Sequence, residues 1–275
     1  MTTKELIKKY NIKAKKQWGQ NFLLDDNLLR KMAKLSGIKQ ESTVVEIGPG
    51  LGSLTRHLLG LAKKVIAFEI DERLTEVLKA EFKQDNFCLV KGDFLQIKLE
   101  DYLNEQDSEI MVCANLPYYI TTPILFKLFK SPILIQSISV LVQKEVAERF
   151  CALPNTKQYG AISVITQYKY EAKIIMKIAK EAFYPQPKVD SCVVLFKRIK
   201  AQEAIDEQAF FRLVKSCFKY RRKTIYNNYK EFNKDAVAIL EAADIALNCR
   251  AEQLALDDYL RLFKIQNEKT SLWKD

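Results

Sequence analysis

The sequence predicts an α/β protein, a parallel sheet with crossover helices followed by a small all-helical C-terminal domain. Three observations predict it. Short β-branched runs alternate with amphipathic stretches from Thr43 to about residue 200, as in a sheet whose strands are joined by helices. The first run passes directly into Gly48-Pro49-Gly50-Leu51-Gly52 and then into a helical pattern, a strand–turn–helix unit. From about Asp206 only helix-period patterns remain, with no glycine after Gly160.

Taken in order, residues 4–16 hold six lysines and little apolar periodicity, which suggests a flexible or surface arm. Leu28 to Leu35 reads as a helix stopped at Gly37. Thr43 to Ile47 is the first strand, and Leu54, Leu58, Leu59 and Leu61 recur at helical spacing after the glycine turn. Val65 to Ile70 is the second strand. Leu74, Val77, Leu78 and Phe82 mark the next helix, and Phe87 to Val90 is a third strand closed by Gly92-Asp93. Ile110 to Ala114 is a fourth. Further on, Ile124 to Phe129 reads as a helix, Ser137 to Val142 as a strand, Lys144 to Arg149 as a helix and Val193 to Phe196 as the last strand. The expected domains are residues 1–200, with the basic arm and the sheet, and residues 201–275, all helical.

The chain has 275 residues, enough to bury a core without disulfide or metal staples. The start, MTTKELIKKY, has no apolar stretch of the kind a secretory signal needs. The longest uncharged run, Ile110 to Phe126, is broken by Asn115, Pro117 and Pro123, which suits a core strand and turn better than a membrane helix. Six cysteines never lie closer than 25 residues, so neither a zinc ribbon nor a redox pair is expected, and they read as buried thiols in a reducing compartment. The single histidine, His57, reads as an incidental helix residue. No metal is expected. The net charge of +10 points to a polyanionic partner or a membrane surface, and it is uneven: +7 over residues 1–40, −6 over 41–126, +6 over 127–197 and +3 over 198–275.

The glycine turn is the first chemical signal. Gly48 and Gly50 let a ligand approach the backbone, and the helix start behind them favours polar or negative groups. Glu69 ends the next strand 21 residues after Gly48, where an acidic residue binds ribose hydroxyls, and Asp93 ends the third strand in the matching place. The glycines run GxGxG, not the dinucleotide GxGxxG. Glu46, two residues before the first glycine, suits a cofactor carrying an amine and a sulfonium cation and fits poorly beside a pyrophosphate. These residues favour S-adenosyl-L-methionine over a nicotinamide dinucleotide, and so a Rossmann-like S-adenosylmethionine-dependent methyltransferase sheet.

Asn115-Leu116-Pro117-Tyr118 follows the fourth strand, at a carboxyl end where ligands of such sheets bind. An exocyclic adenine amine is a poor nucleophile because its lone pair is delocalised into the ring. Methylating it requires acceptors that hold the N–H groups and draw the nitrogen toward tetrahedral geometry. The Asn115 carboxamide oxygen and the Leu116 carbonyl are such acceptors, and Tyr118 offers a face for a flipped base.

With these residues the chain resembles the ribosomal RNA adenine-N6,N6-dimethyltransferases of the KsgA type, a family that also holds the Erm methylases. The resemblance runs from about Lys15 to the C-terminus. It is carried by Gln20-Asn21-Phe22-Leu23, Glu46 to Gly52, Asn115 to Ile120, Gln143 to Arg149, Phe183 to Ser191, and Phe218 with Arg221-Arg222-Lys223-Thr224. It implies that Asn21, Leu23, Gly48, Glu69, Asp93 and Asn115 bind S-adenosylmethionine, with Asp93 accepting from the cofactor's adenine amine and Glu69 from its ribose. Asn115, the Leu116 carbonyl, Tyr118 and Phe183 would hold the target adenine, Phe183 by stacking. The implied activity is transfer of two methyls to each of two adjacent adenosines near the 3′ end of small-subunit rRNA, inside an immature ribosomal subunit. One departure is Ala161, where the family usually has arginine; it leaves the cofactor and target-base motifs intact.

Lys219, Arg221, Arg222 and Lys223 place four basic residues in five and are assigned to RNA phosphates, while Phe218, Tyr220, Tyr226 and Tyr229 among them are mostly core residues by their helical spacing. Residues 4–16 form a candidate arm that orders on RNA. The protein is expected to act as a cytoplasmic monomer with no membrane contact. Three competing readings are an Erm-like enzyme for large-subunit rRNA, a methylase of DNA adenine or a glutamine amide, and an assembly factor in which binding outweighs catalysis.

Overall fold

The computed structural model describes residues 1–15, 18–103, 107, 109–199 and 205–272. In chain order the elements are α1 (Thr3–Lys9), β1 (Phe22–Leu23), α2 (Asp26–Leu35), β2 (Thr43–Ile47), α3 (Thr55–Leu59), β3 (Lys64–Glu69), α4 (Glu72–Glu81), β4 (Phe87–Lys91), β5 (Ile110–Asn115), α5 (Thr121–Phe129), β6 (Ser137–Gln143), α6 (Lys144–Phe150), α7 (Ala161–Lys169), β7 (Tyr170–Ile178), β8 (Phe183–Tyr184), β9 (Ser191–Arg198), α8 (Glu207–Cys217), α9 (Ile225–Tyr229), α10 (Ala236–Ala242) and α11 (Leu256–Leu272). No helix among the described residues is long and apolar enough to cross a membrane.

The chain divides into two compact units, Met1–Ala147 with Lys173–Arg198, and Glu148–Ala172 with Ile199–Asp275. The sequence placed one boundary near 200, a point that falls on residues 200–204, outside the described set. The structure also groups residues 148–172 with the second unit. The reason is packing within that unit: Tyr168 of α7 lies 5.2 Å from the Phe210 ring of α8, and Lys169 pairs with Glu207 at 2.6 Å.

In the first unit seven strands run in the order β4-β3-β2-β5-β6-β9-β7, and β1 pairs with β8 in a separate ribbon. β2 is parallel to β3 and β5, β3 to β4, and β5 to β6, while β9 runs antiparallel to β6. The central strands are apolar on both faces because helices cover both, so all five residues of β2 are buried. From β2 the chain moves outward through β3 to β4, then returns to the other side of β2 as β5. The order reverses between β2 and β5, so their carboxyl ends, at Ile47 and Asn115, open a crevice.

Two expectations are corrected. Residues 4–16 are not a flexible arm over the part described, which excludes Lys16. Thr2 caps α1, accepting from Glu5 N at 3.3 Å, while the Glu5 carboxylate accepts from Thr2 N at 2.7 Å. Leu6 and Ile12 are buried with Phe22, Leu51, Leu74 and Val77. Two apolar residues among the lysines are enough to dock the segment beside the glycine loop. The cysteines are not uniformly buried either: Cys113, Cys192 and Cys217 are, but Cys88 lies exposed on the edge strand β4. His57 has a structural partner, its Nε2 lying 2.8 Å from Asp26 Oδ1.

The second unit is built on aromatic packing. Phe210 lies 5.6 Å from Phe263, and Phe218 lies 5.9 Å from Tyr259. Tyr229 is fully buried and donates to Gln266 Oε1 at 2.6 Å, whereas Tyr220 remains 42% exposed.

Candidate active site

A cleft of about 240 Å³ opens at the ends of β2 and β5. Asn21, Leu23, Glu46, Gly48, Gly50, Glu69, Asp93, Asn115, Leu116 and Tyr118 all line it. Five segments far apart in sequence converge there, four of them at the carboxyl ends of strands beside the point where the strand order reverses.

Backbone geometry shapes the floor. Gly48, Gly50 and Gly52 have φ of +65°, +62° and +74°. The three glycines have different neighbours. A Cβ on Gly48 would meet only Pro117 at ordinary contact distance, 3.8 Å. On Gly52 it would lie 2.2 Å from Phe82 Cε2 and 3.0 Å from Leu78 Cδ2, so that glycine is required by packing against α4.

The acidic residues differ in how they are held. Glu69 is 5% exposed, and its carboxylate accepts from Gly50 N at 3.1 Å and from Ile70 N and Asp71 N at 2.9 Å each. Burial still pushes its pKa up to about 7, the three amides pulling the other way. Glu46 is 1% exposed, and among the described residues its Oε2 has no hydrogen-bond partner. Burial pushes it up to about 8, hydrogen bonding from Thr55 pulling the other way and Glu69 adding like charge. A buried carboxylate with an unmet oxygen on the cleft wall is a receptor for a cation or a donor. That is a fit to the ammonium of a methionine moiety. Asp93 accepts from Leu95 N at 2.9 Å through Oδ1.

Asn115 ends β5. Its Nδ2 donates to the Asn21 carbonyl at 3.2 Å, which ties the turn after β5 to the segment before β1 and sets the carboxamide's orientation. Among the described residues nothing donates to Asn115 Oδ1 or to the Leu116 carbonyl. Tyr118 opens a short 3-10 turn after Pro117, and its hydroxyl lies 2.7 Å from Ser191 Oγ. That bond fixes the ring on the cleft wall.

Phe183 is where structure and expectation part. It is 3% exposed, does not line the cleft, and packs with Leu23, Leu29, Met176 and Ile178. The cause is the two-residue ribbon. Leu23 pairs with Phe183 and Phe22 with Tyr184. Neighbouring strand residues point to opposite sides, so with Phe183 turned inward Tyr184 is left 47% exposed.

The sequence reading also missed contributors. Thr3 lines the cleft, donating to the Leu23 carbonyl at 3.0 Å. Asp71, 2% exposed, receives Arg73 Nη2 at 2.6 Å and Gln20 Nε2 at 3.0 Å. Burial works to raise its pKa, and Arg73 and Gln20 outweigh it, leaving it below the usual value. Asp71 sits two residues past Glu69, and its Gln20 contact anchors the start of the Asn21 segment. An acid just past a strand-end acid was the available signal.

In the second unit the four basic residues occupy the turn between α8 and α9, ahead of the capping residue Thr224. Lys219 and Lys223 both reach Glu231, at 2.7 and 3.4 Å. Lys223 Nζ also lies 4.0 Å from the Tyr220 ring centroid. Arg221 donates to the Lys157 carbonyl, and Arg222 is exposed. Ala161 begins α7 in the same unit.

The sequence profile described as "Ribosomal RNA adenine dimethylase" matches residues 11–268. The chain belongs to the ribosomal RNA adenine dimethylase family. A "Ribosomal RNA small subunit methyltransferase A" of Macrococcus caseolyticus is 44% identical over 274 residues, covering 94% of this chain and 92% of that protein. The protein of that name from Clostridium botulinum is 41% identical, covering 95% and 97%. Among solved structures, a dimethyladenosine transferase from Plasmodium falciparum superposes with a TM-score of 0.76 at 28% identity, over 90% of this chain and 98% of that one. The 23S rRNA methyltransferase ErmE gives 0.66 at 25%, over 90% and 99%. The Rossmann-like methyltransferase fold expected from the sequence is therefore shown.

Proposed function

We propose that the protein is an S-adenosylmethionine-dependent dimethyltransferase acting on the N6 amines of two adjacent adenosines near the 3′ end of small-subunit rRNA, within an immature subunit. The observation that carries this reading is Asn115: its amide nitrogen is held by the Asn21 carbonyl, and among the described residues no donor meets its oxygen or the Leu116 carbonyl, both of residues that line the cleft. Bound S-adenosylmethionine supplies a methyl group activated by its sulfonium. Glu46 would receive the cofactor's ammonium, Glu69 its ribose hydroxyls and Asp93 its adenine amine, with Asn21, Leu23, Gly48 and Gly50 completing the bed. Asn115 Oδ1 and the Leu116 carbonyl accept hydrogen bonds from the two N6–H groups in the first transfer, and one of them accepts from the single N6–H that remains in the second, drawing the lone pair out of conjugation and toward the methyl. In each transfer the target nitrogen would gain the methyl in place of a proton, which goes to water. No strong base is needed because the alkylated nitrogen is acidic. Tyr118 provides the stacking face that Phe183, buried in the core, does not.

In the second unit Arg221 and Arg222 contact phosphates, with Lys219 and Lys223 beside them. The protein works as a monomer in the cytoplasm. Relatives of 41–44% identity are named for the small subunit, which favours this substrate over an Erm-like one. Methyl transfer from labelled cofactor to purified immature small subunits, naked rRNA and DNA, with the product nucleoside identified, tests it. N6,N6-dimethyladenosine in small-subunit rRNA is expected, and Asn115→Ala should abolish it while leaving the fold. Modification of large-subunit rRNA or DNA alone, or a fully active Asn115→Ala, would overturn the reading.

A further inference from the structure

The segment after β4 forms one wall of the cleft through Asp93, Phe94 and Leu95. It is closed into a tight turn. Leu95 N donates to Asp93 Oδ1 at 2.9 Å, and Gln96 N and Ile97 N donate to the Asp93 carbonyl at 2.9 and 3.2 Å. A turn of this kind leaves its last carbonyls without chain partners. Here a single side chain receives them. Lys127 of α5 donates through Nζ to the Phe94 carbonyl at 2.7 Å, to the Leu95 carbonyl at 2.9 Å, and to the Ile97 carbonyl. Three bonds use all the donors an ammonium has. The same Nζ lies 5.3 Å from the Phe94 ring centroid, and that ring packs edge-on against Phe68 at 5.4 Å. Burial lowers the Lys127 pKa, while Asp93 and Glu100 draw it back up, so the ammonium senses Asp93 as well as the carbonyls.

We infer that Lys127 is a positioning residue for the adenine end of the cofactor, holding the Phe94, Leu95 and Ile97 carbonyls so that Asp93 presents its carboxylate to the adenine amine. The inference rests on the role of Asp93 proposed above. Lys127 acts through the loop, not by touching the cofactor. It also ties that wall to α5, the helix that starts directly after the turn at Tyr118–Ile120. Arginine does not reproduce the arrangement, because a planar fork cannot direct three donors from one point to three carbonyls.

The test is calorimetric binding of S-adenosylhomocysteine and of its inosine analogue, which carries an oxo group in place of the amine. The proteins are wild type, Lys127→Met, Asp93→Asn and the double variant, with steady-state kinetics on the rRNA substrate. Lys127→Met should weaken S-adenosylhomocysteine binding about tenfold, the loss expected for removing charge-assisted bonds from a binding loop. It should also shrink the preference for amine over oxo, and raise the cofactor KM while kcat at saturation holds. On the Asp93→Asn background the same change should cost little more, since both act on one contact. Lys127→Arg should fall between. Unchanged binding in Lys127→Met, or losses that simply add in the double variant, would overturn the inference. If Lys127→Met does not fold, Lys127→Gln, whose shorter neutral side chain keeps at most two donors, should lose affinity in the same direction, and unchanged binding in it would equally overturn the inference. Failure of the wild type to bind S-adenosylhomocysteine would instead overturn the site assignment beneath it.

Discussion

Replacing Glu46 by glutamine tests the electrostatics of the cleft. Glu46 is 1% exposed with an unpartnered Oε2 and titrates near 8, against an ordinary 4.5; Glu69, 5% exposed, titrates near 7. Both folded-state values lie above the unfolded ones. The stability tied to these protons is therefore fully present below about pH 4.5 and is lost as pH rises through 7 and 8. Each pH unit over which only the unfolded chain is ionised costs about 1.4 kcal/mol per group. Between pH 6 and 8 this amounts to about 2 kcal/mol for Glu46 and about 1 kcal/mol for Glu69. Urea unfolding of the cofactor-free protein should show the wild type losing about 3 kcal/mol over that range and Glu46→Gln only about 1 kcal/mol from these groups. The comparison is of slopes, so any fixed cost of burying the carboxamide cancels. Cofactor binding should run the opposite way. A cation favours the ionised carboxylate, so the wild-type affinity for S-adenosylmethionine should rise with pH across this window, by at most about tenfold per unit. Glu46→Gln should flatten that rise. Identical pH slopes in the two proteins, in both unfolding and binding, would refute a buried titrating Glu46.

Gly52→Ala should destabilise by about 2–5 kcal/mol, combining a left-handed φ with a Cβ 2.2 Å from the Phe82 ring, and a lower urea midpoint would show it. Phe183→Ala should cost about 3–5 kcal/mol as a buried aromatic; a stable Phe183→Ala that had lost only rRNA binding would instead restore the stacking role. Charge reversal at Arg221 and Arg222 should weaken RNA binding and flatten its dependence on salt, by about one unit of log–log slope for each phosphate no longer neutralised. Unchanged binding at physiological salt would remove this turn from the interface.

Much of the fold was legible because its signals are local. Every residue of β2 is buried and apolar except Thr43 and Glu46, and the next residues are glycines that only a tight turn requires, so strand, loop and helix follow from adjacent residues. The cleft was legible for a related reason: in a parallel sheet the carboxyl ends of the strands form one edge, so acids and amides at strand ends must meet. What escaped depends on long-range contacts. Nothing in the lysine-rich start says that Leu6 docks among Phe22, Leu51, Leu74 and Val77. Nothing near Phe183 announces a two-residue pairing with Leu23, and that pairing decides which way the ring points.

The same distinction separates the charges that carry function from those that do not. The segment 41–126 sums to −6, and a sum treats its acids alike. The structure divides them by what they touch. Asp71 is paired with Arg73, accepts from Gln20 and serves as an anchor. Glu69 is satisfied by three amides and keeps one face on the cleft. Glu46 alone of these three is buried with an oxygen unmet. The basic turn divides likewise, Glu231 taking Lys219 and Lys223 while Arg222 remains exposed. A side chain whose charge is already paired contributes mainly to holding the fold, and one left unmet at a cleft is where a ligand's opposite charge lowers the free energy most. That criterion supports the proposal that Glu46 meets the cofactor and Arg222 the RNA.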